Sequence, residues 1–373
     1  MRQILVLLVI GGLVLGCRPA EPQPSSVDVA AQAVRLGRGV NLGNALEAPR
    51  EGEWGMVIEE TFFSLIREAG FDTVRVPIRW SAHAQTVPPY TVDAAFFARV
   101  DWVVAQALAE DLNVVLNMHH YDEIFVSPEA HADRFVAIWE QIAERYVDQP
   151  ATVYFELLNE PHGSLDARRW NVLLARTIAA VRSIDAYHTL IVGGDQWNSI
   201  AGLAALEIPE EEHNVIATFH YYEPFLFTHQ GAEWVGAEIG TTGVSWPGPP
   251  DEAITLTPAS RDVDWVRVWF ARYHQTSGDH NPASRSAIKR DFERAAAWRE
   301  QSGVPLWLGE FGAYSTADMG SRARWTEAVR EEAEAWGLPW AYWEFGAGFG
   351  VYDRQVGGWR QPLLTALIPE HQK

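Results

Sequence analysis

The sequence predicts an α/β fold: a single (β/α)8 TIM barrel with a long loop excursion after its sixth strand. Three observations carry this reading. Short apolar segments alternate with helical ones along the chain, as in a parallel sheet with crossover helices. Eight such strands can be counted, which favours a closed barrel over an open sheet. The 373 residues suit one barrel, a fold of about 250 residues that reaches about 400 with insertions.

Strands are expected at 39–44, 72–78, 113–118, 152–158, 190–194, 215–220, 305–309 and 340–344, each short and mostly apolar. Between them, 58–69, 93–111, 129–147, 166–185, 285–301 and 322–336 place apolar residues at helical spacing, and 363–368 closes the last unit. No G-x-G-x-x-G turn follows the first strand, which weakens a dinucleotide-binding sheet. The connection at 221–284 is unusually long and holds Trp234, Trp246, Trp265 and Trp269. Loops of this length are usually functional, so part of it is expected to wall a substrate groove.

The first 16 residues read as a signal peptide, with Arg2 as the positive start and residues 4–14 apolar apart from Gly11 and Gly12. The apolar stretch is short for a membrane span. Val14-Leu15-Gly16-Cys17 resembles a bacterial lipobox, in which the cysteine becomes the lipidated first residue. Cys17 is the only cysteine, so a disulfide within the chain is impossible. The following stretch is rich in Pro, Ser, Glu and Ala, a composition that suits a flexible tether. The expected organisation is a signal peptide at 1–16, a lipidated cysteine and tether at 17–34, and the barrel at 35–373. The chain would be exported and held by lipid to the bacterial cell envelope at the outer membrane, or secreted if Cys17 is incidental.

A formal net charge of −20 repels phosphate backbones and anionic lipid, which argues against a nucleic-acid partner. It favours a neutral or cationic substrate. Of the 17 tryptophans, most are expected in the core and the rest as flat platforms for sugar rings, whose C–H faces stack on aromatic π-clouds.

Barrel active sites lie at the C-terminal strand ends. There the chain offers Asn41 and Asn44, Arg75 and Trp80, His119 and His120, Asn159 and Glu160, Trp197 and Asn198, His220 and Tyr222, Glu310, and Trp343 and Glu344. Glu160 and Glu310 each end a mostly apolar strand before a Pro or Gly breaker. Two carboxyl groups facing each other across a cleft are the minimum for cleaving a glycosidic bond.

Asn159-Glu160-Pro161 and Gly309-Glu310-Phe311-Gly312 resemble the retaining β-glycanases of glycoside hydrolase family 5. Other pieces match in order: Gly39-Val-Asn-Leu-Gly-Asn44, Val74-Arg-Val-Pro-Ile-Arg-Trp80, Asn117-Met-His-His120, His220-Tyr-Tyr222 and Tyr342-Trp343. The resemblance spans about residues 38–368. It implies Glu160 as general acid/base and Glu310 as nucleophile. Arg75 and Tyr222 would keep Glu310 ionised, and Asn159 would bind the sugar 2-hydroxyl. His119 and His220 would bind hydroxyls or tune Glu160, and Trp343 would floor the subsite where the ring distorts.

Plainer readings compete with several of these. Arg75 could pair with Glu156 inside the barrel, which is compatible with the catalytic role. His119 and His120 are adjacent on a strand and point to opposite faces, so both cannot easily ligate one ion. No H-x-H or H-E-x-x-H set accompanies them, so no metal and no cofactor is expected. His119 is the better site candidate and His120 its support. Trp80 and Trp197 are groove platforms or rim packing, and Glu344, Glu123 and Glu47 are secondary contacts or decoys.

The expected activity is a retaining endo-β-1,4-glucanase of the cellulase or lichenase type, with β-glucan as its partner. Endo-mannanase and xyloglucanase are the nearest rivals. An exo-acting or transglycosylating enzyme keeps the same site, and a non-catalytic glycan-binding surface lipoprotein is the alternative from another class.

Overall fold

The structure is a computed structural model that describes residues 27–369. The signal peptide and Cys17 lie outside the described residues. Eight parallel strands close into a barrel in chain order. They are β1 Arg38–Asn41, β2 Thr73–Val76, β3 Asn113–Asn117, β4 Val153–Glu156, β5 Leu190–Gly193, β6 Val215–Tyr221, β7 Leu306–Phe311 and β8 Trp340–Tyr342. Closure comes from β1 against β8, with Gly39 opposite Ala341. Apart from Arg38 the strand residues are buried. Helices cover the outside and side chains fill the inside, which is why each strand reads as a continuous apolar run.

The helices Glu60–Glu68, Ala94–Ala109, Pro128–Tyr146, Ala167–Arg182, Arg285–Ser302, Met319–Ala335 and Gln361–Leu367 fall where periodicity places them. Four start on a side-chain cap that accepts an otherwise unpaired N–H, from Asp93, Asp166, Ser284 and Asp318.

The expected tether is corrected from residue 29 onward. Val29–Leu36 is a helix, capped by Asp28, that buries Gln32, Ala33 and Leu36. Ala33 and Leu36 pack with Tyr154, Ile191, Ile216, Trp307 and Ala341, near the N-terminal ends of their strands. Tyr154 donates its hydroxyl to Gln32 at 2.8 Å. The helix thus plugs the mouth of the barrel opposite the strand ends that carry chemistry.

Trp80 is also corrected. It is fully buried in a single 3-10 turn, Trp80–His83, that folds it inward. Its indole donates to the Asn117 carbonyl at 3.0 Å and packs on Phe96 and Phe97, with ring centroids 5.6 and 5.4 Å away. It is core, not a groove platform.

The excursion between β6 and β7 is folded, with Asp264–Gln275 its longest helix. Trp246 is buried, and Trp269 stacks on Tyr273 at 4.8 Å, so these two buttress the barrel. Trp234 and Trp265 are exposed.

Candidate active site

Arg75 organises the site from below. Its side chain is fully buried on β2, and all five of its N–H groups are used. Nε and Nη2 grip Glu156 at 2.6 and 2.7 Å. Nη1 donates to Asn41 at 2.8 Å and to Glu310 at 2.5 Å. The remaining Nη2 proton goes to Asn159 Oδ1 at 2.8 Å. Burial works against the guanidinium charge, but Glu156 and Glu310 outweigh it and raise its pKa. Because Asn159 spends its oxygen on Arg75, its Nδ2 group is left as a donor at the end of β4.

Glu310 ends in donors on both sides. Arg75 holds Oε1, and the Tyr222 hydroxyl donates to Oε2 at 2.8 Å. Burial raises the Glu310 pKa, while His220, Arg75 and the Tyr222 hydroxyl oppose that rise. Tyr222 keeps its proton, since burial and the Glu310 charge push its pKa well up. A carboxyl group whose two oxygens both accept hydrogen bonds, one from an arginine, is best satisfied as the anion.

Glu160 is held differently. Its φ of 50° is left-handed, a strained setting for a side-chain-bearing residue. The backbone around it is pinned: the His162 Nδ1–H donates to the Glu160 carbonyl at 2.6 Å. The buried Asn198 amide, oriented to satisfy both its neighbours, accepts from the Glu160 N–H at 3.3 Å and donates to Gly194 at 2.9 Å. Burial pushes the Glu160 carboxyl up to about 7, against the pull of Arg75 and His162. His220 Nδ1 contacts Glu160 Oε1 at 2.7 Å. Burial lowers His220 to about 4, so it stays neutral. With an Nδ1–H on Oε1, the carboxylic proton of Glu160 belongs on the free oxygen, Oε2.

Carboxyl oxygens of Glu160 and Glu310 and a ring nitrogen of His220 all lie within 4.8 Å of one another. This is also a grouping that could ligate a cation, but its atoms are already engaged with each other, with Arg75 and with Tyr222.

His119 stacks flat on Trp343, with centroids 5.4 Å apart and planes 6° from parallel. Asn117 accepts from the Ile78 N–H through its oxygen and turns its Nδ2 to His119 Nδ1 at 3.3 Å. This fixes the proton of the neutral ring on Nε2. Burial holds the His119 pKa well down. Trp343 in turn requires Gly43: a Cβ there would meet the indole edge at 3.0 Å.

The cleft above these residues has two lobes that share Glu160, Tyr222, His229 and Trp234. One, of about 670 Å³, holds Glu310, Trp343, His119, His120, Asn44 and Trp54. The other, of about 960 Å³, runs past Trp197, Phe225 and Trp265 to Asp291 and Arg294. The four exposed tryptophans among the described residues are Trp54, Trp197, Trp234 and Trp265, and all four line the cleft.

The structure therefore gathers Arg75, His119, His120, Asn159, Glu160, His220, Tyr222, Glu310, Trp343, Asn44 and Trp197 at one end of the barrel. Glu47 also lines the smaller lobe and accepts the N–H groups of Asn44 and Ala45. Burial pushes its carboxyl up to about 8. Glu344 is fully buried and accepts the N–H groups of Gly346, Ala347 and Phe349, so it braces a loop instead of facing the cleft. Glu123 is exposed on the short helix Asp122–Val126 and lines neither lobe. Trp54, His229, Tyr314 and Phe349 line the cleft without having been expected there. They sit on loops, where no periodicity reports direction.

A closed βα barrel with two carboxyl groups facing each other at its strand ends, Glu310 buried and Glu160 partly open to the cleft, defines a class, the barrel glycoside hydrolases. The chain belongs to glycosyl hydrolase family 5, whose cellulase model matches residues 36–348. It is 44% identical to Thermotoga maritima Cel5A, solved in complex with mannotriose, with a TM-score of 0.80 over 91% of this chain and 100% of that one. A mutant form of that protein with cellobiose gives 45% identity and a TM-score of 0.81 over 92% of this chain and 100% of that one. Endoglucanase H of Acetivibrio thermocellus is 30% identical over 94% of this chain, and endoglucanase 3 of Fibrobacter succinogenes 28% over 85%. The chain spans only 35% and 50% of the length of those two relatives.

Proposed function

We propose that the chain is a retaining endo-β-1,4-glucanase that works through a covalent glycosyl-enzyme intermediate. The observation that carries this is the unequal pair: Glu160 and Glu310 approach within 4.8 Å but meet opposite surroundings. Retaining enzymes place their carboxyl groups about 5–5.5 Å apart, and inverting ones about 6.5–9.5 Å. In this reading Glu310, with Arg75 and Tyr222 on its oxygens, attacks the anomeric carbon. Glu160, neutral below about pH 7, protonates the leaving oxygen and then takes a proton from water. The Asn159 amide donates to the 2-hydroxyl, His119 Nε2–H to another hydroxyl, and Trp343 floors the reacting sugar. The lobe holding Glu310 takes the glycone, and the lobe beyond Glu160 takes the leaving chain. A cleft that continues on both sides of the pair supports internal cleavage. A β-mannan is the second reading, favoured by the mannotriose bound in the Thermotoga relative.

Glu160 is the testable half of the pair in pH. It must be protonated for the first step, so kcat/KM should fall as pH rises through about 7. Glu160→Ala should cost about 10²–10⁴-fold on natural substrate. On an aryl glycoside with an acidic leaving group, which needs no protonation, it should lose the alkaline limb. Azide should then rescue turnover and yield a β-glycosyl azide. An unchanged alkaline limb, or an α-azide, would assign the acid elsewhere.

We also propose that Cys17 carries the lipid that anchors the exported enzyme, on the strength of the Val14-Leu15-Gly16-Cys17 run. Cys17→Ser should abolish incorporation of labelled palmitate in a bacterial host. Equal labelling of that variant would contradict the anchor.

A further inference from the structure

We propose that the turn formed by Gln196, Trp197 and Asn198 positions Glu160 for proton transfer and ties that position to the sugar stacked on Trp197. The inference rests on the reading above, in which Glu160 is the acid/base and the leaving chain runs past Trp197.

It starts from where the backbone is strained. Seven non-glycine residues among the described ones have a positive φ. Four of them are Glu160, at 50°, and Gln196, Trp197 and Asn198, at 56°, 57° and 54°. Asparagine tolerates this region, but glutamine and tryptophan rarely enter it. Such strain persists only where the surroundings enforce it, and it gathers at working sites. Here the surroundings can be named. β5 ends at Gly193, whose carbonyl accepts the Trp170 indole N–H at 2.8 Å. A Cβ on Gly193 would run into the Asn198 amide, so the glycine makes room for that side chain. Asp195 accepts the Ala167 N–H at 3.1 Å, which fastens the turn to the helix Ala167–Arg182.

Three links run from this turn to the segment Glu160-Pro161-His162. The fully buried Asn198 amide accepts from the Glu160 N–H at 3.3 Å. The Trp197 N–H donates to the Pro161 carbonyl at 3.2 Å. His162 stacks on the Trp197 ring at 5.0 Å, packs on Phe125 at 4.0 Å and donates to the Glu160 carbonyl at 2.6 Å. The peptide groups on both sides of Glu160 are thus held from one turn. Trp197 is the member open to the cleft, 57% exposed and lining the leaving-chain lobe. A sugar on its open face bears on the same turn that fixes Glu160. A general acid must come within hydrogen-bond reach of the oxygen it protonates. A shift of about 1 Å can cost about 10²-fold. The leaving sugar and the group that protonates its oxygen are therefore seated on one piece of backbone.

The test compares kcat/KM on cellotetraose, whose leaving oxygen needs a proton, with kcat/KM on dinitrophenyl β-cellobioside, whose leaving group does not. His162→Phe keeps a ring between Trp197 and Phe125 but removes the bond to the Glu160 carbonyl. Asn198→Ala removes the acceptor of the Glu160 N–H. Each should lose about tenfold or more on cellotetraose and stay within about twofold of the parent on the aryl glycoside. Damage to the fold alone would lower both together. If Asn198→Ala fails to fold, His162→Phe, a change at a half-buried residue, decides. Trp197→Ala should lower kcat on cellotetraose, whereas a platform that only binds would raise KM alone. Equal losses on the two substrates, a loss on neither, or a rise in KM alone for Trp197→Ala would overturn the inference. Glu160→Ala, assayed alongside, separates it from the reading beneath. A selective loss there with none in His162→Phe and Asn198→Ala overturns the support alone, and an unselective loss there overturns the acid assignment.

Discussion

Glu310→Gln should lower kcat on polysaccharide by on the order of 10⁴-fold or more, while oligosaccharide still binds. The amide has nearly the shape of the carboxylate, but it cannot form the ester. Its oxygen can still accept from Arg75, and the Tyr222 hydroxyl can turn to accept from its nitrogen, so the glycone lobe keeps its form. Reducing-sugar release measures the loss, and calorimetry with a cello- or manno-oligosaccharide measures the binding. Turnover within about tenfold of the parent would mean that another group makes the covalent bond. The size of the effect follows from the role: removing a nucleophile removes the pathway, whereas removing a proton donor slows one step of it.

Arg75→Met should be the most destabilising single change in the site. It deletes a cation from between Glu156 and Glu310 and strands five acceptor oxygens, on four residues of three strands and their ends. Breaking a buried ion pair from one side costs about 3–5 kcal/mol. Arg75→Lys should also be costly, because a three-donor ammonium cannot reproduce the five-donor fork. The partner change Glu156→Gln in the Met background should recover part of the stability by removing an uncompensated charge. It should not recover activity, because Glu310 and Asn159 remain without their donor. Urea unfolding and kcat together decide this. A loss of less than about 1 kcal/mol for Arg75→Met would show that the fork is not what holds the site.

Much of the molecule was legible in its sequence, for reasons that can be named. The strands were readable because a parallel barrel buries both faces, so segments such as Val114-Val115-Leu116 are apolar throughout. The carboxyl pair was readable because each glutamate ends a mostly apolar run just before a Pro or Gly breaker. Arg75 stood out within its own run, and both partners weighed for it, Glu156 and Glu310, bind it at once. The helix Val29–Leu36 was missed because its Ala-rich composition continues that of the tether. Its cue was Asp28 as a cap, with Ala33 and Leu36 three apart on one face. Trp80 was misplaced because strand alternation stops where the 3-10 turn begins, and beyond that point only contacts with Phe96 and Phe97 decide its direction. His229 and Phe349 enter the cleft through loop conformations. Glu344, which looked like a third strand-end carboxylate, is consumed by three backbone N–H groups that no spacing rule reveals.

The pair of glutamates is the centre of this account, and the stereochemistry of the first product reports on it most directly. Proton NMR of the sugar released in the opening minutes, before mutarotation, gives its anomeric configuration. A nucleophile on Glu310 and an acid/base on Glu160, with carboxyl oxygens within 4.8 Å of each other, require two displacements and hence the β-anomer first. An α-anomer appearing first would mean that water attacks directly, and that Glu310 never bonds the sugar.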